Sequence, residues 1–176
     1  MLIESITGPR ARVLITHTRP YDFDEKKCLW VHKVIDEEEA CNIITDAGRR
    51  RVHTYLYGAG AQRTPLGVGL NYIALSNNAA APSASDVALA GEIVDGPTTA
   101  GLARAVGAVT LPTGSGTQTL IQKTFTFTGV PGPQSFQKTA LFDDPVTGTM
   151  AHEIQFTAKT LQTNDNVTLN FFVTLI

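Results

Sequence analysis

Cysteine occurs only twice in the 176 residues, at Cys28 and Cys41. Two thiols thirteen positions apart, with no histidines at ligand spacing, exclude a disulfide-framed scaffold and a zinc module. Both are expected to be unpaired. No apolar run approaches the roughly 20 residues that a membrane helix needs. The opening Met1-Leu2-Ile3-Glu4 has no basic stretch followed by an apolar one, so no signal peptide is read and synthesis in a cytosol is expected. Without a secretory route the sequon Asn166-Val167-Thr168 carries no weight. Charge of one sign is lacking too. A formal net charge of −2 gives no whole-chain attraction to nucleic acid or to anionic membranes, and neither is expected as a partner.

What charge there is lies unevenly. Residues 1–65 hold 10 of the 14 Lys and Arg and 9 of the 16 Asp and Glu. The remainder is a weakly charged body rich in Thr, Ala and Gly. At 43% hydrophobic residues, that body can fill a core without metals or disulfides. Its pattern is period 2. In 166–176, Val167, Leu169, Phe171, Val173 and Leu175 share one face, and Thr168, Asn170 and Thr174 the other. In 149–159, Met150, Ile154, Phe156 and Ala158 alternate with Thr149, Glu153, Gln155, Thr157 and Lys159. In 121–128, Ile121, Phe125 and Phe127 alternate with Gln122, Thr124, Thr126 and Thr128. Such alternation marks antiparallel strands with one face on a core and one toward water. Further strands are expected over 68–75, 102–111 and 136–142.

In the front segment, 12–18 and 29–35 read as two strands, the second carrying the single tryptophan, Trp30. A helix is expected over 45–57, capped by Thr45 or Asp46 and ended by Gly58. Gly48 inside it costs about 1 kcal/mol against Ala, which suggests the close approach of another backbone. A short helix is expected over 85–93, capped by Ser85 or Asp86.

No constellation carries catalysis. Asp143 and Asp144 stand in a turn, where aspartates bond their own backbone. His152 and Glu153 are neighbours on a strand and so point to opposite faces; His152, on the apolar face, is expected to be partly buried and hydrogen-bonded. His17, His32 and His53 have no metal-ligand spacing, and no serine sits in a Gly-x-Ser-x-Gly elbow. The glycine-rich turn at 112–116 lacks the Gly-Lys-Ser/Thr ending of a phosphate loop. No cofactor and no metal are expected. The run Arg49-Arg50-Arg51 has acidic neighbours and no stacking platform, so it reads as a solvated helix face.

The succession Ile44-Thr45-Asp46-Ala47-Gly48-Arg49, Leu70-Asn71-Tyr72-Ile73-Ala74-Leu75, Ala81-Pro82 and Ser85-Asp86-Val87-Ala88-Leu89-Ala90-Gly91-Glu92-Ile93 resembles a group of tailed-bacteriophage virion proteins. These are small β-rich components of tail fibres, baseplates and head surfaces. Ala140-Leu141-Phe142-Asp143, Gly148-Thr149-Met150-Ala151-His152 and the closing strand after Asp165 are similar to the same group. The resemblance covers residues 44–176. Asn77-Asn78 stands where a glycine-rich turn is common in the group, and His152 where an arginine is common. The resemblance implies membership in an assembly and transfers no catalytic residue.

The expected fold is mainly β, an antiparallel β-sandwich of jelly-roll-like type with one α-helix and one short helix. Residues 1–43 are expected to be a charged docking arm and 44–176 a body that folds without it. The alternative is that Val13, Ile15, Leu29 and Val31 complete the chain's own sandwich. The expected function is a non-enzymatic virion structural protein, either a capsid decoration (cement) protein or a tail, collar or baseplate component. It would form homo-oligomers and bind other virion proteins. The candidate partner contacts are Arg12, Trp30, Lys33, Arg49, Arg50 and Arg51. A carbohydrate-binding module for host-surface attachment is the alternative, for which Trp30, Tyr55, Tyr57 and Tyr72 are the available aromatics.

Overall fold

Two antiparallel five-stranded sheets enclose one core between them. The computed structural model describes residues 10–24, 29–41, 43–48, 69–111, 118–130 and 132–174. Its strands are β1 (Arg10–Asp24), β2 (Leu29–Cys41), β3 (Ile43–Ile44), β4 (Tyr72–Ser76), β5 (Ala105–Val106), β6 (Ala108–Thr110), β7 (Gln118–Thr126), β8 (Gln134–Phe142), β9 (Met150–Leu161) and β10 (Asn166–Thr174). The first sheet runs β2-β1-β10-β7-β6 and the second β3-β9-β8-β4-β5.

The closing strand behaves as its alternation requires. Val167, Leu169 and Phe171 are fully buried, and Val173 packs against the same core. Phe172 points the other way, half-buried, under the guanidinium of Arg12 at 4.8 Å from its ring centroid. Replacing Phe171 with alanine is expected to lower stability by about 3–5 kcal/mol, the usual result of emptying a core aromatic site. Phe172→Ala should cost clearly less. Urea midpoints that ranked the two in reverse order would contradict the facing assigned here.

β1 pairs with β10 along its length, from Arg10 opposite Thr174 to Thr18 opposite Asn166, and Val13 and Ile15 are fully buried in the core. The pairing therefore crosses the expected boundary at residue 43. The front strands are thus paired into the first sheet, as in the alternative arrangement. The reason is the pattern itself: Val13 and Ile15 alternate with Arg12, Leu14 and Thr16 in step with β10.

β9 departs from simple alternation. Phe136 lies opposite Lys159 and Lys138 opposite Gln155, so one residue of β8 faces three of β9. This bulge resets the phase. Ile154 points to the core before it, Phe156 at its start and Leu161 after it. Ala158, expected on the apolar face, is exposed, and Lys159, expected outside, is buried.

Both faces of β4 are covered. Ile73 and Leu75 enter the main core, while Tyr72 and Ala74 join Leu89, Ala140, Phe142 and Met150 in a second cluster. The connection 77–104 supplies that cover. The short helix expected at 85–93 is absent. Ser83 and Asp86 make cap-like bonds, Asp86 N–H to Ser83 O and Ser83 N–H to Asp86 Oδ2, but the chain continues in turns through Gly91 at φ 66°. Leu89 and Ile93 are buried, while Val87 is exposed. Turn chemistry wins over the apolar spacing. The strand expected over 102–111 is likewise two pieces. β5 pairs with β4 in the second sheet, and β6 with β7 in the first. Gly107 is the crossing point, where a Cβ would lie 2.9 Å from Ile121 Cγ2 and 3.1 Å from Gln122 O.

Of the helix expected over 45–57, the first turn at 46–48 is seen and the rest lies outside the described residues. Thr45 caps it, its Oγ1 accepting from Gly48 N–H at 3.0 Å. Gly48 does meet another backbone: a Cβ there would sit 2.5 Å from Ala151 O.

Candidate functional site

Of the six candidate partner contacts, Arg12, Trp30 and Lys33 lie in the described strands, spread along the first sheet. Arg12 lies on the outer face of the first sheet, paired with Glu39 at 2.9 Å. Lys33 lies on β2 opposite Arg19, seven residues along β1 from Arg12, or about 24 Å at strand spacing. Trp30 falls in β2 by its backbone, opposite Phe23. Arg49, Arg50 and Arg51 lie outside the described residues, as do Tyr55 and Tyr57. Tyr72, an aromatic considered for sugar stacking, packs instead against the second hydrophobic cluster.

What the structure brings together was not legible as a site. In the weakly charged body, three of its four basic side chains are buried, each in an ion pair. Arg104 forks onto Glu92 at 2.8 and 2.6 Å and stacks on the Phe142 ring at 3.6 Å. This pins the connection 77–104 to the second sheet. Lys138 donates to Glu153 at 2.7 Å. Burial raises the Glu153 carboxyl above its usual range, Lys138 offsets only part of that, and the nearby Asp86 adds to it. Lys159, on β9, reaches across to Asp36 and Glu38 of β2, at 2.5 Å each, and so joins the edges of the two sheets. Burial works against its charge, but the two carboxylates more than offset this and hold its pKa above the ordinary value.

Lys159→Met should lower stability by about 1–2 kcal/mol, because the partner carboxylates stay within reach of water. The contribution is also acid-labile. The hydrogen bond from Lys159 holds Asp36 below its ordinary value; at Glu38 burial pushes up, and Lys159 and Thr157 together pull further down. Depressed carboxylates stabilise above their unfolded pKa of about 4 and lose that contribution as pH falls through the lowered folded values. Urea midpoints of the two proteins should therefore converge below about pH 4.

The most connected polar group is Asp165, fully buried in the turn from β9 to β10. Arg19 of β1 forks onto it, Nε to Oδ1 at 2.8 Å and Nη2 to Oδ2 at 2.9 Å. His17 Nε2 lies 2.9 Å from Oδ2, and Gln162 N–H donates to the same oxygen at 2.9 Å. Burial alone would raise this carboxyl; the Arg19 fork, the Gln162 amide and His17 outweigh it and hold the pKa below the ordinary value. A histidine beside a carboxylate is the arrangement of a general base and its orienting group. Here the imidazole is itself buried, so the pair ties the turn to β1 and presents no base to solvent.

Around Asp165 the surface is concave. Arg19, Pro20, His32, Thr126 and residues 162–166 line a hollow of about 580 Å³ at one end of the first sheet. Asn166 is held from two sides, its Oδ1 accepting from Thr126 at 2.7 Å and its Nδ2 3.2 Å from His32 Nδ1. His152 is buried as expected on the apolar side of β9, and burial pushes its imidazole down to about 4. Asp144 bonds its own turn, accepting from the N–H groups of Val146 and Thr147. Among the described residues no group of three or more His, Cys, Asp or Glu is placed to hold a metal ion. Among the same residues no helix is long and apolar enough to cross a membrane. No family model matches the chain, and no curated protein matches its sequence.

Proposed function

We propose that this chain is a non-enzymatic structural protein of a tailed-bacteriophage virion. It would be a capsid decoration protein or a tail, collar or baseplate component, made in the host cytoplasm and assembled with copies of itself and other virion proteins. The resemblance of residues 44–176 to such proteins motivates the reading. The observation that carries it is the pair of edges of the first sheet, which no further strand covers among the described residues. β2 offers a thirteen-residue edge, and β6 is exposed along all three of its residues. Beside β6, Val106, Val109 and Leu111 are 53%, 46% and 68% exposed. An apolar strand edge of this kind aggregates unless a partner covers it, and symmetric assembly is the usual cover. Arg12 and Lys33 lie on the sheet that ends in these edges, and Arg12 over Phe172 has the composition of an interface anchor.

We read the two layers as a β-sandwich related to the jelly roll. The adjacency of the first and last long strands and the β5–β6 crossing between sheets support that reading. The β1–β2 and β8–β9 hairpins depart from a strict jelly roll by staying within one sheet.

Light scattering on the purified chain should give a mass several times 18.9 kDa. Quantitative mass spectrometry of purified particles should find the chain in hundreds of copies for a capsid role, or a dozen or fewer for a tail or collar role. A monomer at all concentrations that is missing from the particles would end this reading.

A further inference from the structure

We propose that the hollow beside Asp165 is a binding site for an uncharged carbohydrate. Its volume of about 580 Å³ falls within the span of small-molecule sites. The argument is one of charge and donor type. Among the described residues of the lining, Arg19 and Asp165 are the charged pair, and they neutralise each other through the bidentate fork. The guanidinium that faces the hollow is already committed to the buried carboxylate behind it, which leaves little net charge for an ion to pair with. A neutral ligand needs none.

The other polar groups suit hydroxyls. Gln162, Asn164 and Asn166 each carry an amide that both donates and accepts, the same dual capacity that a sugar hydroxyl has. Asp165 engages Nε and Nη2 of Arg19, so Nη1 is turned away from the carboxylate. The groups are also held in advance of binding. Asp165 is fully buried and fixes both Arg19 and the turn, while Asn166 is braced between Thr126 and His32. Groups already ordered lose little freedom when a ligand arrives. Pro20 and His32 are direct cross-strand partners at the rim, and their flat faces offer a surface for the C–H side of a sugar ring. The proposal concerns binding at one end of the first sheet and is read apart from assembly, although His32 belongs to the β2 edge strand.

The test is saturation-transfer NMR and calorimetry on the intact chain with a panel of neutral methyl glycosides and disaccharides, with uronic acids and inorganic phosphate as charged probes. At least one neutral saccharide should bind with a dissociation constant of about 1 mM or lower. His32→Ala and Gln162→Ala change exposed side chains, so each should leave the thermal midpoint unchanged and weaken binding by about tenfold or more. Absence of transfer from every neutral saccharide would overturn the proposal. So would equal binding by both variants, which would locate the sugar elsewhere, or a preference for uronic acids or phosphate, which would make the hollow an anion site. Copy number in the particle reads the assembly function separately.

Discussion

A chain beginning at Ile44 should fail to fold cooperatively. The truncation removes both β1 and β2, and with β1 the fully buried Val13 and Ile15. Burial of each such side chain stabilises by about 1.5–3 kcal/mol. The two together, about 3–6 kcal/mol, reach the lower end of the whole stability of a small domain, about 5–15 kcal/mol. The deletion also strips β10 of a partner over nine residues and takes Arg19 and His17 from the buried Asp165. The exposed edge of β10, with Phe171 beside it, would invite aggregation. Circular dichroism and size exclusion should show an aggregated or unstructured product. A soluble product with a sigmoidal urea transition would instead restore the idea of a separable N-terminal arm.

Asp165→Ala should be the most damaging single substitution of a polar residue, lowering stability by about 3–5 kcal/mol. Removing one partner from a buried charged network leaves the others uncompensated. Arg19 can turn toward water, but the buried His17 ring and the Gln162 amide cannot find a replacement so easily. Asp165→Asn retains an acceptor for the turn and should cost less than the alanine. The pH dependence has a definite sign. The folded pKa of Asp165 is depressed, so its stabilisation is fully present above the unfolded value of about 4 and disappears as pH falls through the lowered folded value. Wild-type stability should fall over that acid range, while the Asp165→Ala protein should show a shallower fall. Parallel curves from urea titrations at several pH values would exclude Asp165 as the source.

The strands that were legible are those whose neighbours lie on one side only. β7 and β10 carry a core face and a solvent face, and their residues alternate accordingly. β4 reads less cleanly, because the connection 77–104 buries its second face as well. The bulge in β9 has no signature in the order of residue types, so Lys159 read as an outward lysine. The apolar spacing at 85–93 suits a helix, and only the turn bonds around Ser83, Asp86 and Gly91 decide against it. The Asp165 cluster was least legible of all. His17 and Asp165 are 148 positions apart, and nothing local to either residue announces the other. The suspicion that Gly48 meets another backbone succeeded because it rested on a local conflict, a glycine inside a helix, that only a close neighbour resolves.

The seams between the two layers are unlike. On one side the chain itself passes through Gly107 from β5 to β6, so the layers are joined there by covalent backbone. On the other side the chain also crosses, from Cys41 at the end of β2 to Ile43 at the start of β3 beside β9, and along β2 Lys159 with its two carboxylates adds an ionic fastening. Both seams thus carry backbone, and the β2–β9 seam carries in addition an ionic clasp that acid below about pH 4 weakens. Partial opening would begin where β2 lies beyond the β3 crossing, at the Lys159 clasp. Amide protons along that margin should exchange with solvent first as pH drops toward the carboxylate range, after correction for the intrinsic rate, while those flanking Gly107 wait for the whole fold to come apart.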